Sequence, residues 1–359
     1  MKSFLILLFI LLNETLAFSQ IKQKQKQTCY KLTDAKNTTR PDTVAILNLA
    51  HKPNIIVEIH SIIVGKDTTK TYVTKDLDSN SRITAIPKFL KKIKNLRELN
   101  LSGNKIKRFP AWLTKNDSLQ KIDLSENILD YRKLKFKKNN FLKILNIAGC
   151  RLNNFSYHIK NNKRLEILIA ANNDFEIIPR YVFSLKSLKT LNFYRNTLSS
   201  IPSEINLLIN LEVLDLYHNH INVIPPSLCE IKSLKSLALS YNNITELPDN
   251  INSLLSLEEL YLRNNKISSL PENINHLSNL KALLISDNVF KLFPMQIIEM
   301  ERLEEIDISS NLLKNIPDEL SKMKLKILNI RSNPLNYEDY KVYSLLINKL
   351  KENKVNVLD

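Results

Sequence analysis

Apolar residues recur at a fixed interval along most of this chain. The pattern L-x-x-L-x-L-x-x-N-x-L-x-x-[I/L]-P fits residues 211–225 and again residues 234–248. Its first leucine occurs eleven times, each time 23 residues after the previous one except for a last step of 22. These leucines are Leu96, Leu119, Leu142, Leu165, Leu188, Leu211, Leu234, Leu257, Leu280, Leu303 and Leu325. Copies that stay in phase over this length predict a protein in which each repeat packs against the next.

Each repeat contains the alternation of a short strand, followed by a polar residue. The central L-x-L segment places every second residue on one face, which predicts a strand with a buried leucine face. An asparagine follows, and its side chain can hydrogen-bond to the backbone of adjacent repeats. These asparagines are Asn104, Asn127, Asn173, Asn196, Asn219, Asn242, Asn265, Asn288, Asn311 and Asn333. Cys150 occupies the remaining position, and we interpret it as a small buried side chain.

An Ile-Pro or Leu-Pro step ends most repeats. Proline fixes φ and lacks an amide proton, which suits the first position of a helical turn. Apolar pairs three residues apart, such as Ile205 and Leu208, follow the step and predict a helical turn with one buried face. Nine of the 13 prolines occupy this position, two of them (Pro110 and Pro294) after Phe in place of Ile or Leu; they are Pro87, Pro110, Pro179, Pro202, Pro225, Pro248, Pro271, Pro294 and Pro317.

On these residues the chain resembles leucine-rich repeat proteins of the 23-residue class, over about residues 83–336. Such repeats occur in secreted bacterial proteins and in Ras-pathway-type signalling scaffolds. The resemblance implies an α/β solenoid. It would be an arc with a parallel β-sheet on the concave side and short helical or 3-10 turns on the convex side. It also implies a binding function, without identifying the partner.

Two repeats lack the proline step, and both lie in a basic part of the chain. They end in residues 129–140 and 152–163, so we expect irregular turns over about residues 114–163. One short run there contains Arg132, Lys133, Lys135, Lys137 and Lys138. This run either binds an anion or is simply a solvated loop.

The segments outside the repeats are predicted to form a signal peptide and a capping structure at each end of the repeat array. Lys2 followed by a short apolar run and small residues near Ala17 is typical of a signal peptide, with an uncleaved anchor as the alternative. After the last repeat, Asn336 can cap a helix that begins near Tyr337. The predicted organisation is a signal peptide (1–19), a polar segment (20–43), a degenerate first repeat with an inserted β-hairpin (44–82), the repeats (83–336) and a helix-strand cap (337–359).

The glycine content and the charge distribution limit the kinds of ligand that the protein can bind. The chain has only three glycines, Gly65, Gly103 and Gly149, which excludes the glycine-rich loops that hold nucleotide phosphates. Residues 82–164 carry a net charge of +16, equal to that of the whole chain. Such a segment can attract anionic glycan, lipid headgroups or an acidic protein, or it can keep a long surface solvated. Nucleic acid is a less suitable partner, and the mature chain should have no transmembrane span.

Neither a metal site nor a catalytic group emerges from the sequence. The three cysteines are an odd number at wide spacing, and they form neither a disulfide framework nor a zinc motif. His218 and His220 lie close to Asp215, but a structural zinc site needs four suitable ligands. We therefore expect no enzyme activity, no cofactor and no metal.

Outward positions on four successive strands carry large polar aromatic and basic residues. Tyrosine and arginine are the residue types that anchor protein interfaces. The set comprises Tyr194, Arg195, Tyr217, His218, Tyr241, Tyr261 and Arg263, and its tyrosines should lie side by side. The sequence thus predicts an exported protein that binds another protein through its concave face. The alternative is attachment to a surface or a glycan through residues 82–164. We expect a Gram-negative bacterial protein in the periplasm, at the cell surface or in the medium.

Overall fold

A computed structural model describes residues 46–48, 82–86, 88–92, 95–134, 140–336 and 340–359. The predicted signal peptide, the polar segment, the inserted hairpin, the start of the last helix and Lys135, Lys137 and Lys138 lie outside these residues. The chain divides into two compact units, residues 1–150 and 151–359, and each is considered by itself.

The described residues of the first unit form four parallel strands. Leu99, Ile122 and Leu145, which are paired in register, lie at the centres of three of them and are at most 1% exposed. The strands are β1 (Ile46–Asn48), β2 (Glu98–Asn100), β3 (Lys121–Asp123) and β4 (Ile144–Asn146). Three 3-10 helices accompany them, Lys88–Lys92, Leu113–Lys115 and Tyr131–Lys133.

The second unit contains nine parallel strands in chain order. They are β5 (Ile167–Ile169), β6 (Thr190–Asn192), β7 (Val213–Asp215), β8 (Ser236–Ala238), β9 (Glu259–Tyr261), β10 (Ala282–Leu284), β11 (Glu305–Asp307), β12 (Ile327–Asn329) and β13 (Asn356–Leu358). Leu191, Leu214 and Leu237 pair in register and are fully buried. One 23-residue repeat is therefore one strand plus its return, as the leucine spacing predicts.

The return side of the second unit consists of 3-10 helices. They are Tyr157–Asn161, Arg180–Ser184, Ser203–Leu207, Pro226–Glu230, Asp249–Ser253, Glu272–His276, Met295–Glu299 and Asp318–Lys322. Proline precedes all of them except the first. The apolar residues that follow, such as Ile205 and Leu208, are fully buried, in agreement with the predicted pairs.

The turn Tyr157–Asn161 corrects one expectation. We expected an irregular loop there because the proline is absent, yet the 3-10 helix is as long as its neighbours. Ser156 takes φ −64° and ψ 134°, almost the same as Pro179 at φ −63° and ψ 134°. Buried Phe155 packs on Phe175 at 4.9 Å, so core packing supplies the constraint that proline supplies elsewhere. Among the described turns of this region, Leu113–Lys115 and Tyr131–Lys133 are only three residues long, as expected of irregular turns.

The repeat asparagines join adjacent repeats. Asn219 is 4% exposed, and its Nδ2 donates to the carbonyls of Leu216 and Phe193, both at 3.0 Å. Its Oδ1 accepts the N–H of Leu198 at 3.0 Å. The side chain therefore joins two repeats: it satisfies the buried Leu198 N–H and shares the Leu216 and Phe193 carbonyls with the neighbouring asparagines Asn242 and Asn196.

A left-handed residue precedes each of these side chains. In the first unit Gly103, Glu126 and Gly149 take this conformation, with φ of 71°, 55° and 63°. In the second unit residues with a Cβ take it, at a cost of order 1–3 kcal/mol each. They are Asn172, Arg195, His218, Tyr241, Asn264, Asp287, Ser310 and Ser332. The backbone therefore leaves the strand sharply at this point, and the side chain of the left-handed residue is exposed in most repeats.

Charged residues alternate along one flank of the second unit, at the position after each repeat's first leucine. Four ion pairs join them, Lys189–Glu166 (3.3 Å), Lys235–Glu212 (2.7 Å), Lys281–Glu258 (2.5 Å) and Lys326–Glu304 (2.5 Å). The corresponding residues of the first unit are Arg97, Gln120 and Lys143, with no carboxylate among them.

The C-terminal cap is a helix and a strand. Helix α1 (Tyr340–Glu352) buries Leu346, Ile347 and Leu350, and β13 extends the sheet from β12. This confirms the predicted helical cap. Among the residues that the structure describes, no helix is long and apolar enough to cross a bilayer.

Candidate functional site

The candidate residues lie on the face of the second unit's sheet that is opposite the leucine core. In β7, Leu214 enters the core, whereas Asp215 lies on the opposite face. Tyr217 and His218 follow, and the same positions in the neighbouring repeats are Tyr194 with Arg195 and Ser240 with Tyr241. Three successive repeats therefore present these side chains together.

Four rings from these repeats are in contact, and we name them the aromatic face: Tyr194, Tyr217, His218 and Tyr241. The centroid distances are 5.2 Å for Tyr194–Tyr217 and 5.0 Å for Tyr217–Tyr241. His218 lies 5.5 Å from Tyr241 and 6.0 Å from Tyr217. Tyr241 is 40% exposed, and Tyr194 and Tyr217 are half-buried against one another. This is a continuous aromatic surface with polar tips.

The left-handed backbone conformation after each strand sets the position of some of these side chains. Arg195, His218 and Tyr241 are the left-handed residues of their repeats, with φ of 50°, 62° and 56°. All three side chains are exposed. Tyr241 therefore meets Tyr217 diagonally, from one position further along its repeat.

Asp215 lies on the same sheet face, between the strands that carry the aromatic face. It is 5% exposed, and it accepts hydrogen bonds from Asn192 Nδ2 at 2.8 Å and from the Tyr217 N–H at 3.1 Å. Burial raises the pKa of Asp215 to about 7, against the lowering effect of these two bonds. Burial also raises the pKa of Tyr217 to about 12, so its hydroxyl stays protonated and can donate.

Tyr261 differs from our expectation. It is 5% exposed and therefore buried, and it is not an exposed anchor beside the other tyrosines. In register it aligns with Ala238 and Asp215, and not with Tyr217 or Tyr241. Burial, and then the Glu259 carboxylate, raise the pKa of Tyr261, and burial also raises the pKa of Glu259. Tyr261 is therefore part of a polar network on the sheet.

Arg263 belongs to the same network. Its guanidinium reaches across β10 to Asp307, with 2.5 Å between Nη2 and Oδ2. The intervening repeat has Ala282, Leu284 and Ser286 on this face, so no charged side chain stands between the two partners. The side chain of Arg263 is 28% exposed, and Asp307 is almost fully buried. Arg263 is therefore held within the molecule, unlike the exposed Arg195.

The other candidate cluster is only partly described. Arg132 lies over the Tyr131 ring at 5.3 Å, and Lys133 pairs with Asp130 at 2.8 Å. The Lys133 hydrogen bond lowers the pKa of Asp130. One cation of the run thus already has a carboxylate partner, and Lys135, Lys137 and Lys138 lie outside the described residues.

Sequence reasoning missed two carboxylates on the sheet face, Glu259 and Asp307, and considered a third, Asp215, only as a metal ligand beside His218 and His220. A signal existed, because the last strand residue is Asp or Asn in most repeats. Asn146 donates to Asp123 at 3.2 Å, just as Asn192 donates to Asp215. Asp215, His218 and His220 do not form a metal-binding group, and no such group of three or more ligands occurs in the described part of the chain.

Comparisons with known proteins agree with this architecture. A leucine-rich repeat region model matches residues 213–354, and a leucine rich repeat model matches residues 76–129. The comparison with curated proteins finds no match.

Solved structures extend the likeness. A leucine-rich repeat protein of Leptospira interrogans is 25% identical, with a TM-score of 0.62, and the match covers 93% of this chain and 100% of that one. An internalin of Listeria monocytogenes is 22% identical, with a TM-score of 0.66 over 78% of this chain and 84% of that one. FLRT2, solved in an octameric complex with Latrophilin 3 and Unc5D, is 26% identical, with a TM-score of 0.61 over 76% of this chain and 84% of that one. The leucine period, the parallel strands, the family models and these likenesses agree: the chain is a leucine-rich repeat protein.

Proposed function

We propose that the protein binds a protein partner through the aromatic face of its second unit. The observation that carries this proposal is the contact of four polar-tipped rings from three successive repeats on an open sheet face. Such rings lose little conformational entropy on binding because their neighbours already hold them. Exposed Arg195 adds a charged donor at the edge of the face.

The similar proteins support a binding role for this protein, and not a catalytic one. FLRT2, whose leucine-rich repeats resemble this chain, was solved in a complex with two other proteins. Leucine-rich repeat proteins are typically binding scaffolds, and stacked repeats offer an extended surface that suits a protein ligand. We therefore propose a non-enzymatic role.

The test starts with a pull-down that uses the purified full chain, followed by two alanine variants. Tyr217→Ala and Tyr241→Ala should each weaken binding of the captured partner by about 2 kcal/mol or more, as interface anchors do. Tm should change little, because neither side chain enters the leucine core.

Tyr181→Ala is the matched control, since Tyr181 and Tyr241 are both 40% exposed but only Tyr241 lies on the sheet face. It should leave affinity unchanged. Retained affinity in both aromatic-face variants would contradict the proposal. If that affinity also fell steeply with salt, attachment through the basic residues 82–164 would be favoured.

We also propose that the protein is exported. The support is the charged, apolar and small-residue succession of residues 1–19. Mass analysis of the native protein should show a mature chain that begins at or near Gln20. Retention of Met1 would contradict export by a cleaved signal peptide.

A further inference from the structure

A second surface of the same unit combines cations, tyrosine rings and exposed aliphatic side chains. It consists of the first three 3-10 helices of the unit, with the two residues that follow each: residues 157–163, 180–186 and 203–209. We name it the turn surface. It is separate from the aromatic face, and it shares only residues 157–163 with the basic segment 82–164 considered above.

Its charge differs sharply from that of the turns that follow. The three segments hold four Lys or Arg residues and one acidic residue. The corresponding segments of the next five repeats hold three Lys or Arg residues and seven acidic residues. Positive charge is therefore concentrated at one end of a row of equivalent turns.

Contacts connect the turn surface from one end to the other. Tyr157 and Tyr181 lie 6.4 Å apart, and Lys160 Nζ is 5.5 Å from the Tyr157 ring centre. Lys163 donates to the Ser184 carbonyl at 3.1 Å, and Lys186 donates to the Leu207 carbonyl at 2.9 Å. These bonds place two ammonium groups beside the exposed ends of adjacent turns.

The like charges are close enough to affect one another. Burial first, and then the charge of Lys163, lower the pKa of Lys186. Arg180 is 85% exposed and makes a 3.6 Å pair with Glu204, the one acidic residue of the surface. The surface therefore keeps a net positive charge that a negatively charged partner would neutralise.

Apolar side chains on the turn surface are exposed as well. Tyr157 is 51% exposed and Tyr181 40%, and Leu207 and Ile209 are 43% and 65% exposed. Tyrosine rings are favoured at the headgroup level of a bilayer, where one end is apolar and the other is hydrated. Aliphatic tips gain from entry into the boundary between headgroups and acyl chains, whereas a hydrated glycan offers them little.

We propose that the turn surface binds the face of an anionic lipid bilayer, so that the protein lies on a membrane. Lys160, Lys163, Arg180 and Lys186 would contact lipid phosphates, and Leu207 and Ile209 would enter the boundary region. Each cation near such a surface strengthens binding by about five-fold.

The test is flotation of the purified full chain with two kinds of vesicle, phosphatidylcholine alone and an equimolar mixture of phosphatidylcholine and phosphatidylglycerol. The wild-type chain should float with the mixed vesicles and not with the neutral ones. Lys160→Gln with Arg180→Gln should weaken that binding about 25-fold. Leu207→Ser with Ile209→Ser should also weaken it, with no change in net charge.

Matched controls exist in the same unit. Lys322→Gln with Lys324→Gln removes two exposed charges at the last turn, and Leu255→Ser with Leu292→Ser removes two aliphatic side chains that are 56% and 82% exposed. Both should float like the wild type, and Tm should show that every variant is folded.

Three results would overturn the proposal. The first is equal flotation with both kinds of vesicle, and the second is full binding by the glutamine pair. The third is a loss that follows charge alone, with the Leu207 and Ile209 pair unaffected, which would indicate a soluble anionic polymer such as a glycan.

Discussion

The two units share one strand pattern but differ in how their repeats are joined. In the second unit a proline precedes most turns, the turn helices are five residues long and the flank carries matched ion pairs. In the first unit Lys88–Lys92 is also five residues long, but the helices Leu113–Lys115 and Tyr131–Lys133 are three residues long, and Cys150 replaces an asparagine. Even so, β2, β3 and β4 pair in the same register as the strands of the second unit. The buried central leucines therefore suffice to set the register, and turns and side-chain bonds adjust stability around it.

The largest effect should come from the same strand position in each unit. Asp215 and Asp123 both accept from an asparagine, but Asp215 is buried and Asp123 half-buried. The pKa of Asp215 rises from 3.8 in an exposed carboxyl to about 7 when folded. The folded chain therefore holds more protons than the unfolded one between these values, and stability falls as pH rises through this window.

The free energy of unfolding should fall by as much as about 4 kcal/mol across this window, because each pKa unit of the shift corresponds to about 1.4 kcal/mol. Urea unfolding at pH 4 and pH 8 should show that Asp215→Asn reduces the pH dependence in this window. Unchanged pH dependence in Asp215→Asn would show that this buried carboxyl is not its source.

The next effect concerns the asparagine that Cys150 replaces. Asn219→Ala leaves the buried Leu198 N–H without its partner and removes one of the two asparagine donors from the Leu216 and Phe193 carbonyls. It should therefore lower the free energy of unfolding by about 2 kcal/mol. Cys150 makes a 3.1 Å contact from Sγ to the Leu124 carbonyl, and a thiol is a weak donor. Cys150→Ala should cost about 1 kcal/mol. Chemical denaturation measures both, and equal losses would mean that the asparagine bonds add little beyond packing.

The third effect is smaller and is an increase in stability, at the first turn of the second unit. Asn162 is fully buried at a position where the later repeats have Leu, Ile or Met, and its Oδ1 lacks a hydrogen-bond partner. Asn162→Leu should therefore stabilise the chain by about 1–2 kcal/mol, although it loses the bond from Nδ2 to the Ile159 carbonyl. Thermal unfolding is the measurement. A drop in Tm would show that this bond holds the turn in place of the missing proline.

The smallest effect lies on the charged flank. Lys235→Glu places three glutamates in a row and should cost about 0.5 kcal/mol at low salt, less at high salt. Glu212→Lys combined with Lys235→Glu restores the pair with reversed direction and should recover part of the loss. A cost that salt does not change would assign the effect to packing of the lysine stem.

The fold could be predicted from the sequence because the leucines recur at the positions that each repeat buries. Leu214 and Asn219 have roles that depend only on their place in the repeat. The sheet face is harder to predict, because the exposure of a residue there depends on neighbours up to two repeats away. Tyr261 is buried although its register position is outward, and Arg263 pairs with Asp307, which lies two strands away. Ser156 shows a third case, in which a proline conformation forms without proline.

On the flank of the second unit, the backbone recurs with every repeat, but the sign of the charge recurs only with every second repeat. Each glutamate repeat is followed by a lysine repeat, so the unit that repeats chemically is a pair of repeats. Removal of one repeat would place glutamate against glutamate or lysine against lysine, whereas removal of two would leave every neighbour with an opposite charge. A gene that gains or loses repeats in this region would therefore keep a favourable flank only when it changes length two repeats at a time.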